Sequence, residues 1–159
     1  VVEWRLKDGD RVLQIIGSND ARDWMFNFMT GRTIGDNERV NRWDRYEALI
    51  VLRAIRGLNV LIVQGHSRGG AIAQIVAREL HRRDGKHRWL SLYGSKRAGN
   101  RRFVKALHRT TVLFALRHRG DWIPLLPPWY AGVKHALTEK PWRPVWIAHV
   151  DYGPYFMPR

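Results

Sequence analysis

A strand that runs into a glycine-pinched serine is the feature that most narrows what this chain can become. The segment VLIVQGHSRGGAIAQIVAREL (residues 60–80) opens with a short, mostly apolar run. It then turns through Gly65-His66-Ser67-Arg68-Gly69 and goes straight into helical periodicity. Ala71, Ile72, Ile75, Val76 and Leu80 recur at the spacing of one buried helix face. A buried strand followed at once by a helix is half of a strand–helix–strand crossover, which favours a mainly parallel sheet. The turn itself predicts chemistry. In G-x-S-x-G between strand and helix, the serine sits on a tight turn with its hydroxyl clear of the backbone. Gly65 and Gly69 leave room where a side chain would strike the neighbouring strand or helix. The helix start near Arg68 offers unpaired N–H groups to a developing negative charge.

The rest of the chain supplies the neighbours of that strand. Residues 1–6 and 11–17 read as strands joined through KDGD, where Asp8-Gly9 is a hairpin turn signal. SNDARDWMFNFM, residues 18–29, reads as a short helix capped by Ser18, with Trp24, Met25 and Phe28 on its apolar face. TGRTIGDN after it is a glycine-rich loop. Over residues 38–56, Trp43, Tyr46, Leu49, Ile50 and Arg53 recur at helical spacing and predict one long helix. The 60–64 run is a strand and residues 69–83 a helix, closed by RRDGK. Further strands are predicted over 88–95, 110–117 and 145–148, a helix over 100–107, and loop over 122–144. No repeat or linker divides the sequence, so residues 1–159 read as one domain. The fold class is α/β, a mainly parallel central sheet flanked by helices on both sides, with an antiparallel N-terminal hairpin.

Composition excludes several classes. A 45% hydrophobic share with eight tryptophans argues for a folded globule rather than a disordered chain. Cysteine is absent, so disulfides and thiolate zinc sites are ruled out. No apolar run reaches the length of a membrane span, and VVEWRLKDGD carries no signal-peptide block, so a soluble protein, cytoplasmic or released, is expected. The net charge of +14 predicts attraction to an anionic membrane or another polyanion. No RNP pattern, GXXG clamp or zinc-finger spacing accompanies it, so no specific nucleic-acid partner is predicted.

A serine needs a histidine base held by a carboxylate before it attacks a carbonyl. Reactive groups in parallel sheets gather at the carboxyl ends of strands. Asp121 lies just past the 110–117 strand and, among the carboxylates after Ser67, alone follows a convincing strand closely. In the order serine, acid, histidine, the bases left after Asp121 are His135 and His149. His149 follows a predicted strand whereas His135 lies within a loop, which favours His149.

Six blocks in order then resemble the class 3 lipases, the fungal-lipase-like branch of the α/β-hydrolases: GSNDARDW, VNRWDRYEAL, VQGHSRGGAIAQIVA, LYGSKRAGNRRF, GDWIPLLPP and HVDY. The resemblance implies a compact α/β-hydrolase fold and a serine carboxyl-ester hydrolase acting on acylglycerols or similar lipid or small ester substrates. It gives Ser67 as nucleophile, Asp121 as acid and His149 as base. The backbone N–H groups of Ser18 and Arg68 would form the oxyanion hole, and Trp24 and Phe28 would sit near a lid or acyl site. No metal or organic cofactor is implied. Arg68 stands where the family usually has leucine, Lys96 where it has proline, and Asn41 where histidine is common. Two alternatives accompany this reading: a phospholipase on anionic membranes, and an inactive hydrolase-fold protein that grips a polyanion.

Overall fold

The computed structural model describes residues 2–7, 10–17, 31–33, 37–137 and 152. Strand β1 (Val2–Lys7) turns back on β2 (Asp10–Ile15) as the expected antiparallel hairpin, with Trp4 opposite Leu13. β3 (Gly31–Thr33) and β4 (Arg39–Asn41) form a small separate antiparallel pair. Helix α1 (Arg42–Ala54) leads to β5 (Val60–His66), α2 (Ser67–Asp84), β6 (Arg88–Tyr93), α3 (Arg101–Thr110) and β7 (Thr111–Arg117). A short 3-10 turn (Ile123–Leu125) and β8 (Ala136–Leu137) follow. The main sheet has the order β1-β2-β5-β6-β7-β8, and every pairing from β2 onward is parallel.

Strand register explains where the core lies. Leu13, Val63, Leu90 and Leu113 are successive partners across four strands and therefore share one face. The first three are fully buried, in one cluster with Ala48, Leu52, Ile75 and Leu107 of the helices. Burying a leucine side chain contributes roughly 1.5–3 kcal/mol, so this row fixes the register. Helix α2 lies at the middle of that layer, against α1, β5 and β6. Twelve of its eighteen residues are buried, and the small Gly69, Gly70, Ala71, Ala73 and Ala77 let the strands approach closely. On the opposite face Val12, Ile62, Trp89 and Val112 are partners, and Trp89 and Val112 are about half exposed, as is Phe114.

Three expectations change. TGRTIGDN is not all loop, because Gly31–Thr33 pairs with Arg39–Asn41. The long helix begins at Arg42 rather than residue 38. Asn41 caps it by accepting from the amides of Trp43 (2.9 Å) and Asp44 (3.2 Å), while Glu38 turns inward to hold Arg78 of α2. That pair is bidentate (2.6 and 3.2 Å) and buried, so residue 38 is fixed by charge. The buried side of α1 carries Asp44, Ala48, Val51 and Leu52, whereas Tyr46, Leu49 and Ile50 face outward. Finally, the stretch expected to be loop contains the 3-10 turn and an added edge strand at Ala136–Leu137. The helix expected over 18–29 and the strand over 145–148 lie outside the described residues.

Candidate active site

The serine turn has the geometry its glycines predict. β5 continues to His66 in extended conformation, and Ser67 then opens α2 with φ of 56°, a left-handed value rare for a residue with a side chain. A Cβ on Gly65 would come within 2.6 Å of the Gly69 carbonyl oxygen and of the Gly70 Cα, inside the start of α2. A Cβ on Gly69 would strike the Ile15 carbonyl at the end of β2. Gly17, the next residue but one, packs closely as well: its Cβ would lie 3.0 Å from that of Ser67 and 3.1 Å from the Arg68 nitrogen. The segment just past β2 therefore abuts both the serine and the Arg68 amide.

A buried charge quartet supports the turn from behind. The Arg68 guanidinium reaches α1, with Nε 3.4 Å from Asp44 Oδ1 and Nη2 2.5 Å from Glu47 Oε1. Lys96, in the loop after β6, places Nζ 2.9 Å from Asp44 Oδ2, and its amide donates to the Ser67 carbonyl at 3.3 Å. Asp44 and Lys96 are almost wholly buried and Arg68 nearly so. Burial pulls the Lys96 ammonium below its ordinary pKa, with the Asp44 charge opposing that drift. Two cations and two carboxylates thus balance where the family usually has leucine and proline. Ser95, beside them, accepts from Gln74 Nε2 of α2 at 2.9 Å.

Asp121 is 2% exposed just past β7. Its Oδ1 accepts from the Ile123 amide (3.0 Å) and its Oδ2 from the Tyr152 hydroxyl (2.7 Å). That hydroxyl in turn accepts from the His118 amide at 2.8 Å. The Tyr152 ring stacks on His118 at 4.2 Å and lies 5.3 Å from the His66 ring beside Ser67. Burial and the Asp121 charge push the phenol pKa well up, so Tyr152 remains a donor at every working pH. Gly94, at φ of 53°, is required here: a Cβ would stand 2.7 Å from Asp121 Oδ2 and 2.8 Å from the Tyr152 ring.

The structure thus links Asp121 and the residue next to Ser67 through one tyrosine ring. Ser18, Trp24, Phe28 and His149 lie outside the described residues. His135 is largely buried with Nε2 lacking a hydrogen-bond partner, and burial depresses its pKa to about 4, Arg117 adding to the effect and Val133 and Asp121 opposing it. Sequence reasoning missed Tyr152, although HVDY spaces it three residues past His149. It also missed Asp44, Glu47 and Lys96 as a group; the signal was two cations at positions the family keeps apolar.

Comparison with known proteins identifies the family and the fold. The chain is 32% identical over 142 residues to the secreted mono- and diacylglycerol lipase 1 of Fusarium solani, a match covering 80% of this chain and 42% of that protein. It spans less than half the length of that curated relative. Among solved structures, a lipase of Rhizopus microsporus var. chinensis superposes with a TM-score of 0.69 at 20% identity, covering 80% of this chain and 51% of that one. A variant of MDLA from Penicillium cyclopium gives 0.67 at 24% identity, covering 83% and 55%. These likenesses establish the α/β-hydrolase fold. The family model described as lipase (class 3) matches residues 49–131, more than half of the chain, from α1 through the loop after β7, and the chain belongs to the class 3 lipase family.

Proposed function

We propose that this chain is a serine carboxyl-ester hydrolase of the lipase type, acting on acylglycerols or related lipid esters as a single catalytic domain. His149 takes the proton from Ser67 Oγ as that oxygen attacks the ester carbonyl, and the oxyanion is held by the N–H groups of Arg68 and Ser18. Collapse of the tetrahedral intermediate releases the alcohol, protonated by His149, and leaves an acyl group on Ser67. Water, deprotonated by His149, then hydrolyses the acyl-enzyme. The steps call for no metal or organic cofactor.

The observation that carries the reading is Ser67 at φ of 56° between β5 and α2, with Gly17 packed against it and the Arg68 nitrogen. A merely structural turn would place glycine at that φ, since a side chain there costs about 1–2 kcal/mol. Ser18 follows Gly17 directly, which supports its assignment as the second donor. Support for His149 comes from Tyr152: its hydroxyl bonds Asp121, and three peptide units tether residue 149 to it, a reach of about 11 Å. His135, with its pKa depressed to about 4, makes a weaker base. Trp24 and Phe28 keep their assignment near a lid or acyl site. The test is Ser67→Ala. Hydrolysis of a p-nitrophenyl ester and labelling by a fluorophosphonate are both expected to vanish while the circular dichroism spectrum stays as in the parent. Undiminished turnover in that variant overturns the mechanism, and absence of labelling in the parent favours an inactive relative that only binds.

A further inference from the structure

A cleft of about 660 Å³ opens between the loop after β6 and the loop after β7, with Arg97, Arg101 and Arg102 on one wall and Trp129 and Tyr130 on the other. Both loops leave the carboxyl ends of their strands, the end that carries Ser67. The link to the serine turn is short: the Lys96 amide donates to the Ser67 carbonyl, and the next amide, that of Arg97, donates to Leu126 at 2.7 Å.

The cleft carries one sign of charge. None of its described lining residues is acidic. The Arg97 guanidinium joins the two walls by donating from Nη1 to the carbonyls of Pro128 (2.9 Å) and Tyr130 (2.8 Å), neutral acceptors that fix the cation without cancelling it. Arg101 and Arg102 are exposed and take part in none of the ion pairs among the described residues, whose carboxylates serve other cations. Trp129 at the cleft is 55% exposed, and Leu125 (47%) and Trp122 (42%) stand out in the same loop, all within eight residues of chain just past Asp121. Tryptophan beside arginine suits both a lipid–water interface and stacked nucleobases. The aliphatic Leu125 between the two tryptophans favours the lipid, because it offers acyl chains contact area and a base nothing to stack on.

We propose that this face docks the protein on an anionic phospholipid surface. Headgroup phosphates enter the arginine cleft, Trp122, Leu125 and Trp129 enter the interface, and the Ser67 end of the sheet turns toward the lipid. The purpose of docking rests on the hydrolase reading; the binding itself does not. A second basic cleft, about 520 Å³, lies at the amino ends of β5 and β6 with Arg53, Arg56 and Arg83 in its lining. It contains the Asp84–Arg88 pair and, among the described residues, no aromatic ring, so it serves as the matched control.

The experiment is co-sedimentation with vesicles, using the Ser67→Ala chain so that no lipid is consumed. Binding is expected to vesicles of equal phosphatidylglycerol and phosphatidylcholine, to fall as NaCl is raised, and to be far weaker with phosphatidylcholine alone. At about fivefold per cation near an anionic surface, Arg101→Gln with Arg102→Gln weakens binding roughly 30-fold. Arg53→Gln with Arg56→Gln removes the same charge from the other end and changes it less than about threefold. Trp129→Ala weakens binding at high salt as well as low. Equal losses in the two double variants would reduce the effect to net charge and overturn the proposal. So would equal binding to both vesicle types, or binding of a single-stranded oligonucleotide that depends on Arg101 and Arg102 when the vesicles do not bind. Fluorophosphonate labelling of the parent is read separately, so failed docking and failed hydrolysis are told apart.

Discussion

Replacing Asp44 by Asn is the sharpest perturbation the site offers, because the change is isosteric and removes the charge together with one acceptor oxygen. Asp44 is fully buried and faces Lys96 Nζ at 2.9 Å and Arg68 Nε at 3.4 Å. Arg68 keeps Glu47, so the larger cost falls on the Lys96 ammonium, whose side chain is 3% exposed. Removing one partner from a buried pair costs about 3–5 kcal/mol, because the remaining charge has already lost its water. At about 2–4 °C per kcal/mol for a chain of this size, the melting temperature falls by roughly 6–20 °C. Adding Lys96→Met removes the stranded ammonium and restores more than half of the loss, giving a coupling of about 1–3 kcal/mol in a double-mutant cycle. Denaturant unfolding of the parent, both single variants and the double variant measures each corner. The Arg68 amide rides on the same tether, so Asp44→Asn is also expected to lower kcat for a soluble ester with KM nearly constant. A loss below about 1 kcal/mol, or a double variant no more stable than Asp44→Asn, would refute the claim that the quartet is held by charge.

Two further outcomes follow from the Asp121 region. Tyr152→Phe removes the hydroxyl that donates to Asp121 Oδ2 and accepts from the His118 amide, which costs about 1–3 kcal/mol and lowers kcat, and an unchanged melting temperature would remove Tyr152 from the site's support. His135 is held near pKa 4 in the fold against about 6.5 when unfolded, so the unfolded chain binds an extra proton between those values and stability falls as pH drops from 6.5 toward 4, by at most about 3 kcal/mol. His135→Gln should flatten that slope in melting temperatures taken across the window without abolishing ester turnover; identical slopes would show that another group titrates.

What was legible in the sequence was local. The serine turn could be read because its glycines, apolar strand and helix face all fall within 21 residues, and the N-terminal hairpin because Asp8-Gly9 marks its turn. Asp121 was legible because β7 ends four residues before it. Contacts between distant segments were not. Helical periodicity found α1 through Trp43, Tyr46, Leu49 and Ile50, yet its inner face holds Asp44 because partners 24 and 52 residues away neutralise it. The start of α1 was misplaced for the same reason, since Glu38 answers to Arg78, forty residues on. Tyr152 reads as an aromatic near the chain end; only the fold brings its hydroxyl to Asp121.

The left-handed backbone at Ser67 sets the reactivity of the proposed nucleophile against the comfort of the polypeptide. Glycine at that position would relax the bend and gain about 1 kcal/mol, while deleting the oxygen that carries the acyl group in the proposed mechanism. Selection for thermal robustness alone would therefore drift toward an inert protein, and a library screened on heat tolerance without an ester would find Ser67→Gly among its winners.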